Sequence, residues 1–324
     1  MTKMTGFAGA ASVFGLAIVA GTATVAQNVK ITPLGGITGE FCRLDRALLI
    51  EDPDGTRILY DAGMTVAGPD DPRLGSLDAL LVTHMHGDHV GARHTSAVDA
   101  GSCAQPDLSI SAVPETNVAK IAHAKGAKIV TGSEMPPFFG ARLASLGGDA
   151  GQSVLARFGA TQMVGGVGVS TVPAVHSNGV SHDLIGGEMG EAMKAAGIAG
   201  YVGPPTGYVL RFTNGMVAYL SGDTGMTADQ EQIVRGFYGA DLVVINIGDT
   251  FTTGPEEAAY VVNELVQPTS VIPSHANEEA TQGGEVIDGT RTAVFSELAS
   301  MPVHIPLSGN IMEFDADGNC VAGC

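Results

Sequence analysis

Basic residues are scarce in this chain: 16 Lys and Arg stand against 34 Asp and Glu, giving a net charge of −18. That balance argues against nucleic acid as a partner, because phosphate binding needs clustered Lys and Arg. It also disfavours an anionic membrane surface, and it reads as a solubilising exterior. Cysteine is sparse as well. Only Cys42, Cys103, Cys320 and Cys324 occur, and no two form a Cys-x-x-Cys pair, which speaks against a thiolate metal site or a redox centre. In an oxidising compartment, one or two disulfides among four cysteines are plausible, and three pairings stay open. No linker-like run of Pro or Ser and no short repeat divides residues 27–324. With 44% hydrophobic and 15% charged residues, that stretch is expected to fold as one globular domain with a sizeable core.

Residues 1–26 read as a targeting segment. Lys3 gives a positive start, FAGAASVFGLAIVAG runs apolar without a charge, and TATVAQ supplies small residues for cleavage. The apolar core is too short and too rich in Gly and Ala to be a convincing membrane span. A signal peptide cut near Ala26 is therefore expected, with a periplasmic or secreted mature protein that has no stable membrane span.

The remaining chain comes as two similar batches of elements. VKITPL, RALLIE, TRILYD and LDALLVT read as strands, with Asp54-Gly55 a hairpin turn; a helix over VPETNVAKIAHAKGA, with Pro114 near its start, and the strand KIVTG follow. The second batch holds the Gly-rich strand region MVGGVGVSTVPAVHS, then GYVLRFT and MVAYLSG joined by Asn214-Gly215. After these come the helix ADQEQIVRGFYG, the strand DLVVINIG, the helix GPEEAAYVVNELV opened by Pro255, and the strand TSVIPSH. Strands followed by helices, twice over, imply an α/β fold of two face-to-face sheets with helices outside. Two long irregular stretches interrupt this order, one from His94 through Gln105 and one after His176. The second is expected to fold over a pocket, with a short helix at GEMGEAMKAAG.

The most informative stretch is THMHGDHVG, which follows the apolar run LDALLV. His84 and His86, two apart at a strand exit, can point to the same side. Gly87 permits a sharp turn and a close approach, so Asp88 and His89 project in another direction. This suits two neighbouring cations, each taking ligands from one loop. His176, Asp223 and His275 each follow a predicted strand, where loops can converge on one rim. Imidazole and carboxylate donors without thiolate suit Zn²⁺, Mn²⁺ or Fe²⁺.

HMHGDH resembles the His-x-His-x-Asp-His motif of the metallo-β-lactamase-fold hydrolases, and His176, Asp223 and His275 follow in that superfamily's order. The likeness runs from about Val29 to Phe314. SGDTG, INIGDTFTTGPEEAA and IPSHAN look most like the branch of L-ascorbate-6-phosphate lactonase-like proteins. The resemblance implies a four-layer αββα sandwich with a dinuclear site: one metal on His84, His86 and His176, a second on Asp88, His89 and His275, and Asp223 bridging both. Zn²⁺ comes first, with Mn²⁺ or Fe²⁺ as alternatives. A water held by such cations has its pKa lowered to about 7, so hydroxide can attack a carbonyl or phosphoryl centre. Asp88 is the expected catalytic group, orienting the nucleophile or passing its proton on.

Asp61, ending ILYDAG, resembles the superfamily's aspartate that fixes a ligand histidine, or simply forms a turn. Asp249 and Thr250 can line the pocket, or Asp249 can cap the next helix. His182 can touch substrate from the long loop. Phe138 and Phe139 are either a pocket wall or core. His94, as a solvated loop residue, with His123 and His304, reads as a bystander.

The expected activity is hydrolysis of a small molecule, a lactone or other cyclic ester or amide first, with phosphoesters, phosphodiesters and β-lactams as alternatives. A homo-oligomer stays open. Two other classes remain: an iron oxidoreductase on the same fold, and a metal-binding protein without catalysis. His86 counts against a flavodiiron site, which typically carries an acidic residue there, and no flavin-binding segment is visible.

Overall fold

A computed structural model describes residues 1–2 and 28–324. The expected targeting segment, residues 1–26, lies almost entirely outside the described residues.

Side-chain alternation builds the layers. Successive residues of a strand face opposite ways, so Leu48, Ile50, Ile58, Tyr60, Ala79 and Leu81 point one way from the first sheet. There they meet Tyr208, Leu210, Leu220, Val244 and Ile272 of the second sheet in a closed apolar cluster. Leu49, Leu59, Leu80 and Val82 point the other way and pack under the helices Asn117–Lys125 and Met135–Ser145. On the far side, Val209, Val217, Tyr219, Val243 and Ile245 pack under the helical segments Gln230–Tyr238, Val261–Val266 and Arg291–Leu298. Three buried interfaces separate four layers, and the fold is the αββα sandwich.

The first sheet runs Cys320–Ala322, Met312–Phe314, Val29–Pro33, Leu48–Glu51, Arg57–Tyr60, Ala79–Val82, Lys128–Thr131, Ser153–Leu155. The second runs Ser270–Ser274, Leu242–Asn246, Val217–Leu220, Thr206–Arg211, Val167–Pro173, Thr161–Val164. The last four strands of the first sheet are parallel, as are the first three of the second. Loops leaving the C-terminal ends of parallel strands gather on one edge, where open α/β sheets place their ligands. Tyr208 ties the two sheets below that edge, its buried hydroxyl lying 2.7 Å from the Val82 carbonyl and 2.9 Å from that of Val130.

Several local expectations change. The helix starts at Asn117 because Thr116 caps it, accepting from Ala119 N at 3.0 Å, and Pro114 lies outside it. MPPFFGARLAS forms a helix of its own and Phe139 is fully buried beneath it, so this aromatic is core and not a pocket wall. His94 is also buried, its Nδ1 2.9 Å from the Thr95 carbonyl.

The stretch after His176 does contain the helix Gly187–Ala196, but it does not fold over the pocket. Val180, Leu184 and Ile185 join the cluster under the first sheet's outer helices, and Arg142 donates to the Leu184 carbonyl at 2.7 Å. Its apolar residues seek that face and carry the loop away from the site rim. Among the described residues no helix is long and apolar enough to cross a membrane.

The cysteines pair as Cys42–Cys103 and Cys320–Cys324, 61 and 4 residues apart. A crosslink restricts the unfolded chain more as the loop it closes lengthens. Replacing Cys42 and Cys103 by Ser is therefore expected to lower unfolding free energy by about 2–4 kcal/mol, and replacing Cys320 and Cys324 by clearly less. Denaturant titration of both double variants checks the order.

Candidate metal centre

The site is built upward from one carboxylate. Asp61 ends the strand Arg57–Tyr60 with φ +38° and is completely buried. Its Oδ1 accepts from Thr83 N at 3.0 Å, and its Oδ2 accepts from Thr83 Oγ1 at 2.8 Å and lies 2.8 Å from His89 Nδ1. An ionised carboxylate only accepts, so His89 Nδ1 carries a proton. Thr83 has one hydroxyl proton and gives it to Asp61, so His84 Nδ1, 3.0 Å from Thr83 Oγ1, is the donor in that contact. One buried acid thereby turns the Nε2 of both rings inward.

Beyond Thr83 the chain leaves the strand, and His86 precedes a single helical turn, Gly87–Val90. This turn rotates Asp88 and His89 away from His84 and His86. Asn178 holds the loop from the far side, its Oδ1 accepting from Met85 N at 2.8 Å. His86 Nε2 lies 3.2 Å from Ser177 Oγ, and its Nδ1 faces His176 Nε2 at 3.2 Å.

Asp223 enters from the second sheet behind Gly222, which has φ +60°; a Cβ there would stand 2.9 Å from Thr83 Cγ2. The nitrogen nearest Asp223 is Nε2 in each of four rings: 3.2 Å for His275, 3.3 Å for His89, 3.7 Å for His176 and 3.9 Å for His84. His275 sits at φ +50°, an unfavourable backbone for a residue with a Cβ, and this brings its ring to the cluster. Its Nε2 is also 3.5 Å from Asp88 Oδ2.

Charge is arranged to match. Burial opposes ionisation of Asp223, yet the rings of His89 and His275 hold its pKa well below the usual carboxylate range. Asp88 behaves alike: burial resists its charge, but Arg46, followed by His89, keeps it strongly acidic. Burial first, then the neighbouring rings, push His84 well below its ordinary value, and His86 and His176 are lowered for the same reasons. His89 goes the other way. Burial favours its neutral form, but Asp223, Asp61 and Asp88 outweigh that and push its pKa up to about 10.

The donor set fits metal ions. Among the described residues the buried Nε2 atoms of His84 and His89 and both ring nitrogens of His275 have no hydrogen-bond partner, a costly state for buried polar atoms. Three overlapping groups bring their ligand atoms within 4.8 Å of one another: His84–His86–His176, His84–His89–Asp223 and Asp88–His89–His275. These are the seven residues singled out in the sequence. A fourth group, His304 with Cys320 and Cys324, has both sulfurs committed to a disulfide.

A cavity of about 310 Å³ opens over the cluster, with Phe251, Ser177 and Asn277 on its rim. Asp249 and Thr250 are not part of its lining. Both are exposed, with φ +58° and +61°, and they form a tight turn that presents Phe251; Gly254, not Asp249, caps the following helix. His182 also lies outside the lining, on the displaced loop beside Asp183. His123 is on its helix and His304 packs edge-on to Phe314, both apart from the cluster.

Sequence reading missed Arg46, whose buried side chain ion-pairs with Asp88 while its Nε and Nη2 have no partner among the described residues. An arginine opening an apolar strand gives no such signal. Asn178, Thr83 and Phe251 were missed too, because each acts through a contact distant in the chain or through an unpredictable turn.

Asp61→Asn is expected to leave the fold intact and to weaken divalent-cation binding about ten- to a hundredfold, because outer partners orient ligand rings. Calorimetric titration of metal-free protein with Zn²⁺ measures this.

A model of the beta-lactamase superfamily domain matches residues 56–276. A metal-dependent hydrolase of Roseiflexus castenholzii is 32% identical over 262 residues, covering 78% of this chain and 84% of the relative. One from Cupriavidus necator is 29% identical over 286 residues, covering 83% of each. Among solved structures, a metallo hydrolase from the archaeon Ignicoccus hospitalis shares the fold at TM-score 0.54 and 21% identity, covering 89% of this chain and 99% of that one. The chain belongs to the beta-lactamase superfamily and is a metal-dependent hydrolase of the metallo-β-lactamase fold.

Proposed function

We propose that the protein hydrolyses a small, uncharged cyclic ester or amide, a lactone first, at a dinuclear metal centre. His84, His86 and His176 would hold one divalent cation and Asp88, His89 and His275 the other, with Asp223 shared. Zn²⁺ suits the nitrogen-rich first set best, and Mn²⁺ or Fe²⁺ are the alternatives. When bound, the cations supply Lewis acidity and a water that ionises near neutral pH.

The chain's own groups supply the rest. Asp61 fixes two rings from below, and Arg46 fixes Asp88 from the side. A carboxylate held so acidic remains ionised, so Asp88 accepts a hydrogen bond from the attacking water and sets its direction. The Ser177 hydroxyl and the Asn277 amide, both on the rim, are placed to bond a substrate's polar atoms.

The observation that carries the substrate class is the pocket lining. Among the described residues it contains histidine, aspartate, serine, asparagine and phenylalanine, but neither Lys nor Arg. The neighbouring guanidinium, Arg46, is buried and engaged with Asp88. Beyond the cations themselves, a phosphoester would find no cationic side chain among the described lining residues to hold its remaining oxygens, whereas a neutral carbonyl compound needs none. The acidity of the whole chain works in the same direction. The two disulfides agree with an exported protein, and we place the mature enzyme in the periplasm or outside the cell.

His86→Ala is expected to cut kcat/KM for the best lactone at least about a hundredfold and to lower bound metal, with an unchanged circular dichroism spectrum. The check is metal-loaded protein assayed on lactones, β-lactams and phosphodiesters, with metal content measured in parallel. Unchanged turnover in the variant, or a preference for phosphodiesters, rejects the reading.

A further inference from the structure

Away from the histidine cluster, an edge strand of the first sheet, Cys320–Ala322, and one of the second, Ser270–Ser274, come together on one side of the sandwich. Ser270 Oγ donates to the Gly318 carbonyl at 2.7 Å. Residues 302–304 run beside the second sheet's edge, with Val271 N donating to the Pro302 carbonyl at 3.0 Å and His304 N to the Val271 carbonyl at 2.8 Å. The His304 ring then packs edge-on to Phe314, centroids 5.6 Å apart, and Phe314 is the register partner of Cys320. The chain thus carries an imidazole from one sheet to a cysteine of the other.

Three metal-binding groups converge there. His304, Cys320 and Cys324 each bring one ligand atom within 4.8 Å of the others. His304 Nε2 is buried and has no hydrogen-bond partner among the described residues. Burial lowers the ring's pKa, which favours the neutral form that binds metals. The two cysteines are joined, but they stand only four residues apart, and Cys324 is exposed. So short a loop restricts the unfolded chain little, and exposed disulfides are the ones that reductants open. The tail does not depend on this crosslink for its place. Asp315 Oδ1 accepts from Asp317 N at 3.0 Å and from Asn319 N at 2.9 Å, closing the turn before Cys320. Asn310 Nδ2 donates to the Gly323 carbonyl at 2.8 Å, just before Cys324. Both sulfurs therefore stay beside the imidazole once the bond between them is broken.

We propose that His304, Cys320 and Cys324 form a further metal site, separate from the catalytic cluster and open to one Zn²⁺ only when their disulfide is reduced. A small dithiol breaks the S–S bond and closes its own disulfide, leaving two cysteine thiols. Zn²⁺ then displaces both thiol protons and takes two thiolates and one imidazole, with solvent as the fourth ligand. Two cysteines separated by three residues, with a histidine from another segment, match the donor spacing of tetrahedral zinc. Two thiolates also cancel the charge of the ion. Bound zinc links the outer strand of one sheet to the segment that lines the other, so it replaces the disulfide as the fastening of this edge.

The test uses Co²⁺, which absorbs strongly in the near ultraviolet when thiolates bind it; the seven residues of the catalytic cluster include no sulfur. The full protein is reduced with a water-soluble phosphine, which leaves as its oxide, then freed of it under argon and titrated with Co²⁺ while thiols are counted. A sulfur-to-cobalt charge-transfer band is expected in the reduced protein and not in the oxidised one. Zn²⁺ is expected to remove the band by displacing Co²⁺ from the thiolates. The band is expected to vanish in Cys320→Ser/Cys324→Ser. His304→Gln, which keeps bulk over Phe314, is expected to weaken Co²⁺ binding at least about tenfold, since loss of even an outer partner costs that much. Circular dichroism checks the fold of both variants. A disulfide that resists the phosphine, or a reduced protein without the band, overturns the proposal. So does a band that persists in the double serine variant, which places it at Cys42 and Cys103, or an affinity that His304→Gln leaves unchanged. None of these readouts depends on hydrolysis.

Discussion

Five imidazoles and two carboxylates share one small volume, and most of the rest of the molecule exists to keep them there. Four Nε2 atoms lie within 3.2–3.9 Å of Asp223, and those of His84, His89 and His275 have no hydrogen-bond partner among the described residues. Rings brought so close disfavour one another's positive charge, and carboxylates so deeply buried disfavour their own. The cluster is balanced by positive charge placed between its members, which is what divalent cations provide.

The scaffold answers this constraint by geometry. Parallel strands in both sheets end on the same edge, so their loops approach one point from two directions. Asp61 converts that approach into orientation: by accepting from Thr83 and His89 at once, it fixes which nitrogen of two rings faces inward. Tyr60 and Gly222 add a link across the sheets, the Gly222 N–H donating to the Tyr60 hydroxyl at 3.0 Å. Positive φ at Asp61, His275 and Asn277 shows that local backbone preference yields to the site here. The three packed apolar layers beneath hold these unfavourable conformations in place.

Much of this was legible in the sequence because strand endings are local signals. Alternating apolar runs marked the strands, and the lone histidines and aspartates immediately after them marked the rim. The same logic failed where contacts join distant segments. Arg46 opens an apolar strand and gives no hint that its guanidinium will meet Asp88, 42 residues on. Asn178 secures Met85 across 93 residues. The excursion after His176 was expected over the pocket, but Val180, Leu184 and Ile185 find apolar partners under the first sheet's helices instead. The strands Met312–Phe314 and Cys320–Ala322 are too short to show a period, and only pairing with Val29–Ile31 and with each other reveals them. Phe251 depends on a turn with positive φ at both Asp249 and Thr250, a conformation that β-branched Thr disfavours.

The central claim is that this cluster holds two cations with Asp223 between them. Anomalous diffraction from crystals grown with Zn²⁺, recorded on both sides of the zinc edge, tests it most directly. The account predicts two zinc-specific peaks, one bounded by His84, His86 and His176, the other by Asp88, His89 and His275, with Asp223 reaching both. A single peak, or zinc bound elsewhere while the seven side chains stay metal-free, would contradict it.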